Sequence, residues 1–282
     1  MPIATLDDRA LLYLTGADVR AFLQGLLTND LAQLAPMRPL WAALLGPQGK
    51  ALFDMILFDD GAGGVLLDCE ATRADDLARR LTMYRLKRAV TIARSPLAVL
   101  AAWGDSSRPD WPHDPRLPAL GQRAPGTPVA GAATVATYHA HRYALGVPQG
   151  VADLGIDQTL WLEADAAELN GVSFTKGCYV GQENTARMHY RANVRRRLLP
   201  VELAADPGEV RQIVADDRPA GELRGFSGLR GIAWLRLEHA HAPLTLEGAR
   251  VRVLWPDWLP AHEAAPGNLP APDPFSTAET QP

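Results

Sequence analysis

The chain has 282 residues, of which 47% are hydrophobic and 21% charged. This balance is typical of a globular protein and excludes a disordered or fibrous one, and the length favours two or three packed units over a single core. The formal net charge of -4 excludes a globally basic nucleic-acid binder but leaves a local basic patch possible.

Cysteine usage and the N-terminal stretch set the expected compartment. Two cysteines, Cys69 and Cys178, are too few for a disulfide framework or a four-cysteine zinc site. The opening MPIATLDDRALLYLTG carries acids where a secretory signal carries basic residues, and no apolar run approaches the roughly 18 residues of a membrane span. We therefore expect a cytoplasmic protein with reduced thiols, no membrane partner and no metal ion of its own.

The first third of the chain predicts paired strands interleaved with amphipathic helices, the pattern of an α+β unit with an antiparallel or mixed sheet. Turns are predicted at Gly16 and in the PQGK stretch that begins at Pro47. Strand candidates begin at Ala10, Trp41, Ala51 and Gly63, and helix candidates cover 19–27 and 75–85.

The middle and the end of the chain follow different patterns. Residues 104–128 have loop composition, a strand is predicted at 134–145, and a helical pattern covers 155–170. Short, regularly spaced strands after residue 197 indicate a small barrel or sandwich. The predicted organisation is an N-terminal α+β domain (1–103), a central α+β portion (104–194), a C-terminal β-barrel (195–260) and a flexible tail (261–282).

One short run, KGCYVGQE at 176–183, places a cysteine among glycines and charged residues. Gly177 and Gly181 permit close approach of the backbone, so the loop can present Cys178 to a ligand. Lys176 can stabilise a thiolate if both side chains face the same way. Such a sulfur suits a nucleophile, a redox thiol or a transient cluster ligand, and the residues leave this choice open. Cys69, in the apolar stretch VLLDCE, is predicted to be a buried core residue.

Basic residues dominate the stretch that contains this motif. Six lie between residues 176 and 197, against one acid, Glu183. This excess of positive charge would attract an anion, either a cofactor carboxylate, a nucleic-acid phosphate or an acidic partner. The segment after Gly181 is predicted to be helical, which places Glu183 and Arg187 one turn apart.

The run GVSFTKGCYVGQENTARMHYRANVRRRL closely resembles the signature of the YgfZ family of folate-binding proteins. That family is related to the glycine-cleavage T-protein, an aminomethyltransferase, and includes a mitochondrial iron-sulfur assembly factor. The stretches LTGADVRAFLQGLLTNDL, PQGKALFDMILF and LTMYRLKRAV extend the likeness to about residues 5–255. The resemblance implies a GcvT-like three-part ring that ends in a β-barrel and encloses a channel for tetrahydrofolate or a derivative.

The resemblance also implies roles for individual residues. Cys178 becomes the reactive or ligand-holding thiol, with Lys176 as its electrostatic neighbour. Asp54 lies where T-proteins carry a folate-contacting pair of acids, although only one acid is present here, and Glu163 matches a glutamate that precedes the signature. The predicted cofactor-binding and supporting set comprises Asp54, Glu163, Tyr179, Gln182, Glu183 and Arg187.

Three functions are compatible with these residues. The first is a tetrahydrofolate-binding protein that supports iron-sulfur cluster assembly or repair in client enzymes through Cys178, with client or assembly proteins as partners. The second is a tetrahydrofolate-dependent aminomethyltransferase or other one-carbon transferase, which the missing Gly-Tyr-Thr-Gly-Glu stretch of T-proteins disfavours. The third is a module without chemistry that binds RNA or an acidic partner through 187–197. Only the first explains the cysteine run, and nucleic acid is not the expected partner.

Overall fold

A computed structural model describes residues 2–104, 108–130, 133–191 and 194–260 of the chain. These residues form fourteen β-strands and five α-helices. The strands are β1 (Ile3–Leu6), β2 (Arg9–Thr15), β3 (Leu40–Leu45), β4 (Ala51–Asp59), β5 (Val65–Glu70), β6 (Thr91–Arg94), β7 (Ala98–Ala102), β8 (Gln122–Gly126), β9 (Arg196–Leu203), β10 (Gln212–Ala215), β11 (Arg218–Ser227), β12 (Arg230–Arg236), β13 (Leu244–Leu246) and β14 (Ala249–Val253). The helices are α1 (Val19–Gln24), α2 (Ala74–Arg85), α3 (Val135–Ala144), α4 (Gly150–Leu154) and α5 (Gln182–Tyr190). The predicted tail, 261–282, lies outside the described residues.

A five-stranded antiparallel sheet in the order β3-β4-β5-β2-β6 forms the first layer. The apolar runs of β3 and β4 are buried on both faces, so alternate side chains enter two different cores. One core, around Leu12, contains the buried faces of α1 and α2. The other, around Trp41, includes Trp161 and Tyr138 from later in the chain. No helix of the described residues is long and apolar enough to cross a membrane.

A second, three-stranded antiparallel sheet has the order β1-β7-β8. Its strands come from both sides of residue 103, because β1 and β7 precede that position and β8 follows it. One sheet therefore joins the first two predicted domains, and the domain boundaries stay a prediction.

The C-terminal strands close into an antiparallel six-stranded barrel in the order β10-β11-β12-β9-β14-β13. Closure removes exposed sheet edges and buries the barrel's own apolar core, which includes Leu199, Leu223 and Leu235. The predicted α+β fold with a C-terminal β-barrel is thus present.

Two predicted elements in the middle of the chain are wrong. The predicted strand at 134–145 is helix α3, because Thr134 and Thr137 form a capping box and Tyr138 and Arg142 lie on one buried face. The predicted helix at 155–170 is replaced by α4, which comes earlier, and a 3₁₀ turn at Trp161–Ala164. That turn ends at Asp165, whose φ of 57° is incompatible with a continuing helix.

Candidate functional site

The cysteine of the KGCYVGQE run lies on the surface. Cys178 is an exposed free thiol in the loop that leads into α5, whereas its neighbours Lys176 and Tyr179 are buried. The prediction that Cys69 is a core residue is confirmed, since it is 1% exposed and burial raises the pKa of its thiol to about 12. The two cysteines therefore differ in what they can contact, and only Cys178 is accessible to a partner.

The side chain of Lys176 anchors this loop to the end of α1 and the turn after it. Its Nζ donates hydrogen bonds to three backbone carbonyls, those of Gln24 at 2.7 Å, Leu27 at 2.5 Å and Asn29 at 3.0 Å. Burial lowers the pKa of the ammonium to about 8. These carbonyls belong to the end of α1 and the turn after it, where helix carbonyls lack intrahelical partners. The ammonium protons are thus used within the fold, and the predicted electrostatic contact of Lys176 with Cys178 stays a prediction.

Further hydrogen bonds join the same two segments, 24–30 and 170–176. The Thr28 hydroxyl donates to the carbonyl of Gly171 at 2.7 Å, and the Ser173 amide donates to the carbonyl of Thr28 at 3.0 Å. The Asn29 side chain donates to the carbonyl of Asn170 at 2.8 Å. The QGLLTND and GVSFTK stretches are far apart in sequence, but these hydrogen bonds hold them together where the cysteine loop begins.

A glycine contact fixes the other end of the loop. Gly181 has a φ of +82°, and a Cβ added there would lie 2.6 Å from the carbonyl oxygen of Gly46 in the β3–β4 turn. The Asn184 side chain of α5 donates to the carbonyl of Gln48 in the same turn at 2.7 Å. A Cβ at Gly177, by contrast, would have no atom within 4 Å. Only Gly181 is therefore required by close packing.

Helix α5, which follows the cysteine loop, carries charged and aromatic side chains. Gln182 begins the helix and is half-buried, while Glu183 and Arg187 are exposed. Phe174, from the cysteine loop, stacks on His189 with ring centroids 3.6 Å apart. The structure thus gathers the predicted residues of the signature into one loop-helix unit, and their individual roles stay predictions.

Glu163 lies on the 3₁₀ turn Trp161–Ala164, which packs against strand β9 of the barrel and also contacts α5. Its Oε2 accepts hydrogen bonds from the Trp234 indole at 3.1 Å and from the Leu160 amide at 3.3 Å. Burial raises the pKa of this carboxyl above its ordinary value, although both hydrogen bonds and the charges of Arg196 and Lys50 oppose the shift.

Two guanidinium groups lie over the indole ring of Trp234. Arg196 lies 4.4 Å and Arg224 5.2 Å from the centroid of its ring, both within the range of cation–π contact. Sequence reasoning placed Arg196 in the basic stretch 187–197 but did not identify Trp234 or Arg224 as part of a site. The available signal was a tryptophan between apolar residues of a barrel strand, GIAWLRLE, where Trp234 takes an outward, half-buried position.

Asp54 is enclosed by donors from the protein itself. Its Oδ1 accepts from the Gly150 amide at 3.1 Å, and its Oδ2 accepts from the Trp41 indole at 3.5 Å. The cavity beside it measures about 10 Å³ and is also lined by Glu70 and Arg73. A space of this size holds about one water molecule and does not fit a folate. The cavity at Asp54 is therefore too small for a cofactor, and Glu163 does not line it.

A buried polar network, also absent from the sequence prediction, joins the two sheets. Asp68 on β5 accepts from Arg9 at 2.7 Å and from Arg123 on β8 at 2.6 Å. Arg123 also donates to the Tyr138 hydroxyl at 2.8 Å and to the Gln149 side chain at 2.9 Å. The network thus holds Gln149 in place, next to Gly150, whose amide donates to Asp54.

The fold has a solved counterpart. The glycine cleavage system aminomethyltransferase T from Bartonella henselae matches with a TM-score of 0.68 over 91% of this chain and 86% of that one, at 14% sequence identity. A family model described as the CAF17 C-terminal beta-barrel domain matches residues 195–261. The molecule is therefore an aminomethyltransferase-fold protein with a C-terminal β-barrel, which confirms the predicted GcvT-like fold. The enclosed channel stays a prediction.

Sequence relatives define the family more closely. The human mitochondrial iron-sulfur cluster assembly factor IBA57 is 36% identical, and the mouse protein of the same name is 34% identical. Each match covers 90% of this chain and 84% of the relative. The chain belongs to the IBA57 family. The predicted relationship to YgfZ and T-protein relatives is thereby confirmed at family level, without singling out the bacterial YgfZ proteins.

The prediction of a cytoplasmic location is wrong by this comparison. The human, mouse and Phaeosphaeria nodorum relatives are all named as mitochondrial proteins. The physical reason for the error is that a low cysteine count indicates reduced thiols, and more than one compartment keeps thiols reduced.

Proposed function

We propose that this chain supports the assembly or repair of iron-sulfur clusters in client proteins, and that Cys178 is the thiolate that contacts the cluster. The observation that carries the proposal is the exposed free thiol of Cys178 in a loop whose neighbours Lys176 and Tyr179 are buried. The relatives named as iron-sulfur cluster assembly factors support the same function.

The cluster is a substrate shared with another protein. Iron-sulfur clusters usually need four thiolate ligands, and the chain has two cysteines, one of them buried. Within residues 2–104, 108–130, 133–191 and 194–260, no group of three or more His, Cys, Asp or Glu side chains could hold a metal ion. Cys178 therefore supplies one ligand, and the client or assembly protein supplies the others.

Replacement of Cys178 by Ser tests this function in cells that lack their own homologue. We expect the variant to fold normally, because an exposed substitution changes stability by about 0.5 kcal/mol or less. It should nevertheless fail to restore the activity of iron-sulfur enzymes. The matched control is Thr175→Ala, an exposed substitution in the same loop, which should restore activity. Full rescue by Cys178→Ser would exclude the proposed role of the thiol.

A folate is proposed to bind beside Glu163 and Trp234. A buried carboxylate suits the amino and ring N–H donors of a pterin, and Arg196 and Arg224 suit the carboxylates of a glutamate tail. Tetrahydrofolate would supply a carrier for one-carbon units. Asp54 is not part of this proposal, because the cavity beside it measures about 10 Å³ and does not fit a folate.

Titration with tetrahydrofolate, followed by tryptophan fluorescence and calorimetry, tests this site. Glu163→Gln keeps an oxygen that can accept both existing hydrogen bonds but removes the charge. Loss of one charged hydrogen bond should weaken binding on the order of tenfold to a hundredfold. The control variant, Asp54→Asn, should bind as the wild type does. Equal weakening by both variants, or no binding by the wild-type chain, would contradict the placement.

A one-carbon transferase is the second candidate, and the aminomethyltransferase fold favours it. Against it, the single acid at Asp54 is buried and already hydrogen-bonded. Turnover of an aminomethyl donor that survives Cys178→Ser would support this candidate over cluster assembly.

A further inference from the structure

The far end of α2 holds two large apolar side chains in water. Met83 is 76% exposed, and Leu86, the residue that ends the helix, is 84% exposed. A single exposed apolar residue is common, but here two large apolar side chains are exposed within four consecutive residues, one in the last turn of α2 and one directly after it. We call residues 79–89 the α2 tip.

Positive charge surrounds these apolar residues. From Leu77 to Arg94 the sequence contains six basic residues and no acid, although the whole chain carries a net charge of -4. Lys87 and Arg88 are exposed directly after Leu86. Three carboxylates approach from outside this run, since Asp75 pairs with Arg94, Asp76 pairs with Arg79, and Asp18 accepts from the Ala89 amide at 2.7 Å. Six cations against three acids leave the α2 tip and its surroundings positive.

The backbone holds Leu86 in place. Its φ of 51° and ψ of -117° lie in a region that non-glycine residues rarely adopt, at a cost of about a few kcal/mol in general. The Arg85 side chain donates to the carbonyl of Val90 at 3.1 Å, and the Asp18 amide donates to that of Ala89 at 3.3 Å. A Cβ at Gly16 would lie 2.1 Å from the same Ala89 oxygen. The fold thus fixes an apolar side chain in solvent.

We propose that the α2 tip binds the surface of an anionic lipid bilayer. Met83 and Leu86 enter the headgroup region, and Lys87 and Arg88 contact lipid phosphates. A bilayer offers negative charge above an apolar layer and requires no matching shape, so it suits a projecting tip with few apolar residues. A protein partner, by contrast, would have to match the shape of the projecting tip. This contact is peripheral, and it departs from the expectation that the chain has no membrane partner.

Vesicle co-sedimentation of the full chain tests the proposal. We expect binding to vesicles of 70% phosphatidylcholine and 30% phosphatidylglycerol, weaker binding to pure phosphatidylcholine, and a decrease with added salt. The double variant Lys87→Glu/Arg88→Glu should bind at least about thirtyfold more weakly, since each basic residue near the surface contributes roughly a fivefold factor. Met83→Ser/Leu86→Ser should lose on the order of tenfold or more.

Matched controls place the same changes elsewhere. Arg218→Glu/Arg250→Glu alters two exposed arginines of the barrel, and Leu229→Ser alters another exposed leucine. Both controls, and Cys178→Ser, should bind as the wild type does, so the result is independent of cluster assembly. Circular dichroism should show that all variants fold. Absence of wild-type binding to anionic vesicles, or equal loss in the barrel controls, would overturn the proposal and favour a protein contact at the tip.

Discussion

At the scale of single residues, the contacts of Lys176 differ from those that its position in the motif suggests. In the sequence it lies two positions before Cys178 and suggests electrostatic activation of the thiol. In the structure its ammonium donates to the carbonyls of Gln24, Leu27 and Asn29. Its observed effect is to hold the cysteine loop on the end of α1, and any effect on the sulfur is additional.

Replacement of Lys176 by Met should destabilise the protein. The substitution keeps the length of the side chain but leaves three carbonyls without their donor, which should lower the free energy of unfolding by about 2 kcal/mol or more. Urea unfolding measures this quantity. The control is Lys87→Met at an exposed position, where the change should be within about 0.5 kcal/mol. Similar values for the two variants would mean that the carbonyl contacts contribute little.

At the scale of elements, the loop and helix of the signature depend on the β3–β4 turn. The turn residues Gly46 and Gln48 contact Gly181 and Asn184 of the signature. The Trp161 amide also donates to the carbonyl of Gly49 at 3.1 Å, which ties the turn to the segment that carries Glu163. One hairpin turn therefore positions both the cysteine loop and the proposed folate site.

The two glycines of KGCYVGQE should respond differently to alanine. Gly181→Ala adds a Cβ 2.6 Å from a backbone oxygen and at a φ of +82°, so it should lower the free energy of unfolding by about 1–3 kcal/mol and impair rescue of cluster enzymes. Gly177→Ala adds a Cβ in open space and should be within about 0.5 kcal/mol of the wild type. Chemical denaturation of the two variants in parallel decides the point; equal stabilities would show that the turn does not constrain Gly181.

At the scale of the whole molecule, buried ion pairs link the five-stranded sheet to the three-stranded sheet. Asp68 of the five-stranded sheet binds Arg9 from its own sheet and Arg123 from the three-stranded sheet. All three side chains are almost completely buried. Because buried charges are costly without partners, the arrangement ties the correct docking of the two sheets to the satisfaction of these charges.

Asp68→Asn should therefore be strongly destabilising. It leaves two buried guanidinium groups without a full counter-charge, and the free energy of unfolding should fall by about 3–5 kcal/mol. Asp76→Asn, which removes the exposed pair with Arg79 on α2, is the control and should cost about 0.5 kcal/mol or less. Thermal and urea unfolding report both values. A small effect of Asp68→Asn would indicate that water or other acceptors replace the carboxylate.

The sequence by itself determined the elements whose cause is local or periodic. The alternating and continuous apolar runs predicted β3, β4 and β5, the amphipathic stretch predicted α2, and the spaced short strands predicted the barrel. The KGCYVGQE motif also identified Cys178, because a cysteine among glycines and charges is unsuited to a core. The segment of α3 was misassigned as a strand because its β-branched and aromatic residues favour strands. The cap at Thr134 and the single buried face stabilise a helix instead.

Only the tertiary structure decided what each polar side chain meets. The acceptors of Lys176 come from a segment about 150 positions earlier in the chain, and Trp234 reaches Glu163 from another strand system. Asp54 was expected to face a ligand; in the structure it accepts hydrogen bonds from the Gly150 amide and the Trp41 indole, and its folate role stays a prediction. Local sequence patterns report burial and periodicity, whereas hydrogen bonds between distant segments depend on how layers pack, and that packing is set by the whole chain.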